Sequence, residues 1–116
     1  MQTFTTLRTL TAQAAEGTSA PSSVLSLGSA GPYVEVRISN GSLAGSPTSV
    51  TFGVWRAVGG GIDKIGTFTV AAADIGAPLP PIFECDAGSC WVRVESFAGG
   101  TGPTFTGTIQ ARPWFG

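Results

Sequence analysis

Short runs of alternating apolar and polar residues, punctuated by glycine and proline, constrain this chain more than any other feature. Segments rich in Val, Ile, Thr, Phe and Trp recur between clusters of Gly, Pro, Ser and Asn. That is the pattern of strands joined by turns, and no helical period competes with it. From Tyr33 to Ser39, Val34, Val36 and Ile38 point one way while Glu35 and Arg37 point the other. From Trp91 to Ser96, Val92 and Val94 alternate with Arg93 and Glu95 in the same manner, so the charges would pair across the two strands if these were neighbours. Strands are predicted at 3 to 11, 23 to 27, 33 to 39, 48 to 57, 62 to 70, 82 to 85, 90 to 97 and 104 to 112. With 116 residues there is length for one core. The expected fold is therefore all-β: a single-domain β-sandwich of about eight strands over 1–116, jelly-roll or immunoglobulin-like, with 1–11 as an N-terminal arm or edge strand.

Finer features follow from the same alternation. Val50, Phe52 and Val54 share a face with Trp55 opposite, and Ile62, Gly66, Phe68 and Val70 share a face with Ile65 opposite. Ala71 to Ile75 is long enough for one helical turn only. Pro78, Pro80 and Pro81 forbid regular pairing until Ile82, and Gly59 to Gly61 and Gly99 to Pro103 read as turns.

Charged residues make up 11% of the chain, less than half of the roughly 25% usual in soluble domains. A small domain with so little surface charge is expected to hide surface in an assembly. A net charge of −1 without a basic cluster argues against nucleic acid as a partner. No apolar run approaches the roughly 20 residues of a membrane helix, so no membrane role is expected. Ala12-Gln13-Ala14 has the small residues of a leader cleavage site, but Thr3 to Thr11 alternates where a leader needs a continuous apolar stretch. It reads as a strand and not as a signal peptide.

The residues that usually carry chemistry are sparse. Histidine is absent, which removes Ser-His-Asp and Cys-His catalysis and the commonest transition-metal ligand. The expectation is a non-enzymatic chain with no cofactor, no metal and no catalytic residue. Cys85-Asp86-Ala87-Gly88-Ser89-Cys90 reads as a hairpin whose four-residue turn brings Cys85 and Cys90 opposite one another, either as a cross-strand disulfide or as two free, half-buried thiols. Asp86 to Ser89 lacks the ligand spacing of a calcium loop, and the glycines at 59 to 61 lack the Lys-Ser or Lys-Thr of a phosphate loop.

Tyr33, Trp55, Trp91, Phe97 and Trp114 are aromatic residues that alternation places outside the core, where they serve packing, protein contact or stacking on sugar rings. Candidate interface residues are Thr3, Phe4, Thr5 and Leu7 in the first strand, Trp55, Trp91, and Trp114 with Phe115 at the other end of the chain.

The threonine- and glycine-rich strands, the scarcity of charge and the segment from Trp91 to Trp114 (WVRVESFAGGTGPTFTGTIQARPW) resemble small accessory virion proteins of tailed bacteriophages. These are capsid decoration or cement proteins, or components of the neck or tail. The resemblance implies a structural β-sandwich that forms a homo-oligomer, with a trimer favoured, and binds the major capsid protein or another virion protein. It places the protein in the virion, assembled in the host cytoplasm, and implies no active site. A carbohydrate-binding β-sandwich module is the alternative expectation, and it requires an exposed coplanar aromatic pair such as Trp55 with Trp91.

Overall fold

Each alternating segment forms a strand in the computed structural model, which describes residues 3 to 27, 31 to 85 and 89 to 115. The elements are β1 (Thr5–Gln13), β2 (Leu25–Ser26), β3 (Tyr33–Ala44), β4 (Ser49–Val58), β5 (Gly61–Ala71), a single 3-10 turn (Ala72–Asp74), β6 (Ile82–Glu84), β7 (Ser89–Ala98) and β8 (Thr104–Trp114). They lie in two antiparallel four-stranded sheets, with orders β1-β8-β3-β6 and β2-β7-β4-β5. The fold is thus the expected eight-stranded sandwich.

The strand order also decides between the two expected types. β1 pairs with β8, β2 with β7, β3 with β6 and β4 with β5, the nested pairings of one long ribbon folded back on itself at the β4–β5 turn. Two further pairings, β3 with β8 and β4 with β7, wrap that ribbon into two sheets. This is the jelly-roll arrangement, and an immunoglobulin-like order does not fit it. At the fold-back point Val58 pairs with Gly61, leaving Gly59 and Gly60 as the turn with φ of 53° and 86°. Two successive positive φ values make the type I′ turn that matches strand twist, and glycine adopts them without strain.

The inward residues interlock in layers. From the first sheet come Val34, Val36, Ile38, Phe105, Ile109 and Ala111, and from the second Val50, Phe52, Val54, Val92 and Val94, all buried. Phe52 stacks on Phe68 at 5.1 Å between centroids and meets Phe105 edge-on at 5.3 Å, so one ring ties the two sheets together. Burial of each Val, Ile or Phe side chain among them contributes about 1.5–3 kcal/mol.

The alternation slips where strands bulge. Ile65 is the extra residue opposite the Val54–Trp55 step, and the bulge brings it against the core instead of away from it as strict alternation expects. Leu7 is the extra residue in β1, where both Leu7 and Leu10 are buried in the core. The segment is therefore an edge strand paired from Thr5 with Ala111 to Gln13 with Phe105, and not a free arm. Met1 and Gln2 lie outside the described residues.

β3 bulges at Asn40-Gly41 and β1 at Thr11-Ala12, on either side of Gly107 in β8. A Cβ on Gly107 would lie 2.8 Å from the Phe105 ring and 3.0 Å from the Gly41 backbone. Neither neighbour has room to retreat. Gly107→Val is expected to lower stability by about 2 kcal/mol, seen as a lower urea midpoint at an unchanged slope.

Candidate binding surfaces

Four outward-facing rings and two arginines share the outer face of the first sheet. Tyr33 of β3 pairs with Trp114 of β8 on one side and with Glu84 of β6 on the other. One step along, Glu35 stands between Arg112 and Ile82, and Arg112 Nε donates to Glu35 Oε1 at 2.5 Å. Arg37 Nε donates to Gln110 Oε1 at 2.8 Å in the next row. Phe4 lies across these rows, with the Arg37 guanidinium 3.9 Å and the Arg112 guanidinium 4.3 Å from its ring centre. Arg112 also lies 5.8 Å from the Trp114 ring, completing a ladder of alternating rings and cations. At its Trp114 end the face becomes apolar: Tyr33 is 38% exposed, Ile82 45% and Phe115 58%, the last with its ring against Gly31.

The gap between β1 and β7 is bridged by Arg8 together with Glu16. The Leu7 bulge turns Arg8 away from the outer face and across the gap between the sheets to β7. There its guanidinium donates to both carboxylate oxygens of Glu16, at 2.6 and 2.9 Å, and to the Val92 carbonyl at 3.0 Å. It also covers the Trp91 ring at 4.9 Å. Glu16 in turn accepts from the Val94 N–H at 2.9 Å, while its own N–H donates to the Val94 carbonyl at 2.6 Å. Burial alone would raise the Glu16 carboxyl, but bonds from Arg8 and Val94 and the charges of Arg8 and Arg93 outweigh it and hold the group below its ordinary value.

On the outer face of the second sheet, Trp55 is only 7% exposed yet stands apart from the core between the sheets. Lys64 lies beside it, with Nζ 5.4 Å from the ring and 2.5 Å from Glu95 Oε2. That contact is a charge pair by distance, without the alignment of a hydrogen bond on this oxygen. Glu95 is the bulged residue of β7, and its carboxylate lies over Gly53, where any side chain would collide with it. The Trp55 indole N–H has no hydrogen-bond partner among the described residues. β3 and β7 lie in different sheets, so the charges of Glu35 and Arg37 find partners other than Arg93 and Glu95.

Cys85 and Cys90 are both free, the second of the two readings the sequence allowed, and both are buried rather than half-buried. The hairpin expected between them is not formed, because β6 belongs to the first sheet and β7 to the second and the chain crosses between sheets here. The Cys85 thiol donates to the Ser89 carbonyl at 3.5 Å instead. Burial pushes the Cys90 thiol up to about 12, with a smaller contribution from Cys85. The turn and calcium readings of Asp86 to Gly88 fall outside the described residues.

The structure thus sorts the sequence candidates. Thr3, Phe4, Thr5, Trp91, Trp114 and Phe115 remain at least partly accessible, whereas Leu7 and Trp55 are buried within the chain. A stacking platform of Trp55 with Trp91 is therefore not present, because the first ring lies beneath its neighbours and Arg8 lies over the second. Sequence reasoning left out Tyr33 and Ile82 from the interface set, although both occupy outward positions of alternating segments. Arg37 and Arg112 were missed because cation–ring contact depends on which strands become neighbours. The fold defines a jelly-roll sandwich whose best-formed surface is an aromatic and arginine face. The chain matches no family model, no curated protein and no solved structure.

Two outcomes check these assignments. Glu16 has a depressed carboxyl, so its contribution to stability is complete above the ordinary value of 4.5 and is lost as pH falls through the lower folded value. Urea midpoints are expected to fall with acid below pH 4.5, and Glu16→Gln to show lower stability at neutral pH and a shallower acid limb. Thiol reagents at neutral pH are expected to modify neither cysteine of the native protein and both after unfolding.

Proposed function

We propose that this chain is a non-enzymatic structural protein of a virion, of the capsid-decoration type, which binds the major capsid protein through an oligomeric surface. The observation that carries the reading is the apolar corner of the first sheet, where Tyr33, Ile82 and Phe115 stand exposed around Trp114. Charge supports it too. Arg8, Arg56, Lys64 and Arg112 are paired within the chain with Glu16, Asp63, Glu95 and Glu35. The remaining surface is thus rich in threonine and neutral apolar groups, which adhere by burial over many copies and not by long-range attraction. The jelly roll is a frequent fold of capsid and lectin domains, and that likeness is one of fold alone.

Light scattering after size exclusion is expected to give a closed oligomer, a trimer, and the protein to sediment with coat shells assembled from the major capsid protein. Tyr33→Ser combined with Phe115→Ser is expected to reduce shell binding roughly tenfold or more, as the loss of two aromatic anchors implies, with an unchanged urea midpoint. Shells left bare by the unmodified protein would reject the reading.

A further inference from the structure

A sandwich has four sheet edges, and among the described residues three of them are covered, bulged or very short. The outer edge of β7 is taken by Leu25 and Ser26 of β2 and, farther along, by Glu16 and Gly17. β1 is interrupted by two bulges, and β6 is three residues long. The fourth edge is β5, eleven residues from Gly61 to Ala71, with β4 on one side and, among the described residues, no strand on the other. Natural edges are blunted by charge, proline or bulges. β5 has one bulge, at Ile65, and its one lysine is drawn off to Glu95. Its second half, Gly66-Thr67-Phe68-Thr69-Val70-Ala71, carries no charge at all.

Two openings lie along this edge, separated by the Phe83 ring, which sits against Gly66 so closely that a Cβ there would lie 2.8 Å from it. The first, about 380 Å³, is bounded by Phe68 and Val70 of β5 and by Asp74, Pro78, Leu79 and Pro81 of the segment opposite. The second, about 320 Å³, is bounded by Ile65, Arg56, Asp63, Lys64 and Glu84. Proline composition of the facing segment has a direct consequence. Pro78, Pro80 and Pro81 have no N–H to donate, so this wall cannot form a regular ladder with β5. Leu79 is 92% exposed at its rim.

We propose that the outer edge of β5 accepts an extended segment of a partner protein as an added strand, with apolar side chains in the Phe68–Pro81 opening and a lysine or arginine against Asp74. Backbone bonds to an open edge supply affinity in such an arrangement, and pockets for alternate side chains supply selectivity. The cation follows from complementarity: Asp74 is the only charged group bounding the apolar opening and has no ion-pair partner among the described residues. The proposal rests on the reading above only in treating the chain as a binding module.

The test is a titration of the isotopically labelled full chain with an acetylated, amidated peptide, Thr-Val-Thr-Val-Thr-Lys, whose two valines and lysine share one face of an extended strand, followed through backbone amide shifts. Shifts are expected at 61 to 71 and along 74 to 83. The same peptide with Glu in place of Lys is expected to bind roughly two- to fivefold more weakly, and Asp74→Asn to abolish that difference. A peptide methylated on alternate backbone nitrogens is expected not to bind, since it cannot form the added ladder. Silent β5 amides, shifts elsewhere, or equal binding of the methylated peptide would overturn the proposal. So would concentration-dependent shifts of the same amides without peptide, which would mean that a second copy occupies the edge. Shells bound normally by a protein with silent β5 amides would sink this proposal alone and leave the virion reading standing.

Discussion

Every sheet edge carries backbone N–H and C=O groups that must find partners in the chain, in water or in another molecule, and in this protein that requirement organises the rest of the structure. The side of the sandwich where β1 meets β7 is sealed by Arg8 and Glu16, which together satisfy backbone groups of Val92 and Val94. A one-residue bulge at Leu7 makes this possible, since it sends Arg8 across the gap while leaving Leu7 and Leu10 in the core. Loops at one end of the sandwich are locked in a similar way. The Thr101 N–H donates to the Gly45 carbonyl at 2.9 Å, and neither Gly45, against the backbone of Thr101 and Pro103, nor Gly100, against the backbone of Gly45 and Pro47, has space for a side chain.

The charges do structural work and leave little for the surface. Glu95 is 5% exposed and Lys64 supplies its counter-charge, an arrangement in which removal of one partner strands the other. For a fully buried pair that penalty is about 3–5 kcal/mol; Lys64 is 29% exposed, and water lessens it here. Glu35 with Arg112 and Glu16 with Arg8 are likewise held by hydrogen bonds as well as by charge. Such pairs define register and strand neighbours more than they add net stability. They also explain how a chain with 11% charged residues can present so neutral an exterior.

Period-two alternation made the strands legible. Thr104 to Arg112 was readable because it buried every second residue, Tyr33 to Ser39 because Val34, Val36 and Ile38 alternate toward the core although Glu35 between them is covered too, and the turn at Ala72–Asp74 and the glycine turn at 59 and 60 were readable from backbone chemistry. What alternation could not show was which strands become neighbours. Cys85 and Cys90 look like the ends of a hairpin in sequence, but the jelly-roll path carries the chain from one sheet to the other between them. Bulges were hidden for the same reason: Ile65 and Glu95 depart from the alternating phase only because the partner strand has one residue fewer at that point. The aromatic face was therefore half legible. Trp114 and Phe4 stood out by type, whereas their arginine neighbours come from β3 and β8 and meet Phe4 only after folding.

The shortest strand of the first sheet joins the two surfaces. In β6, Ile82 opposes Glu35 and Glu84 opposes Tyr33, so both belong to the outer aromatic face. Phe83, between them, points the other way, reaching Phe68 at 6.0 Å and closing over Gly66 at the β5 edge. Three consecutive residues thus contribute to two surfaces on different sides of the sandwich, as the period of a strand requires. β6 is held to β3 by three paired residues, with Val36 N–H donating to the Pro81 carbonyl just before it. Whatever occupies the β5 groove must accommodate Phe83, and the backbone that positions this ring is the same backbone that presents Ile82 and Glu84 to the exterior.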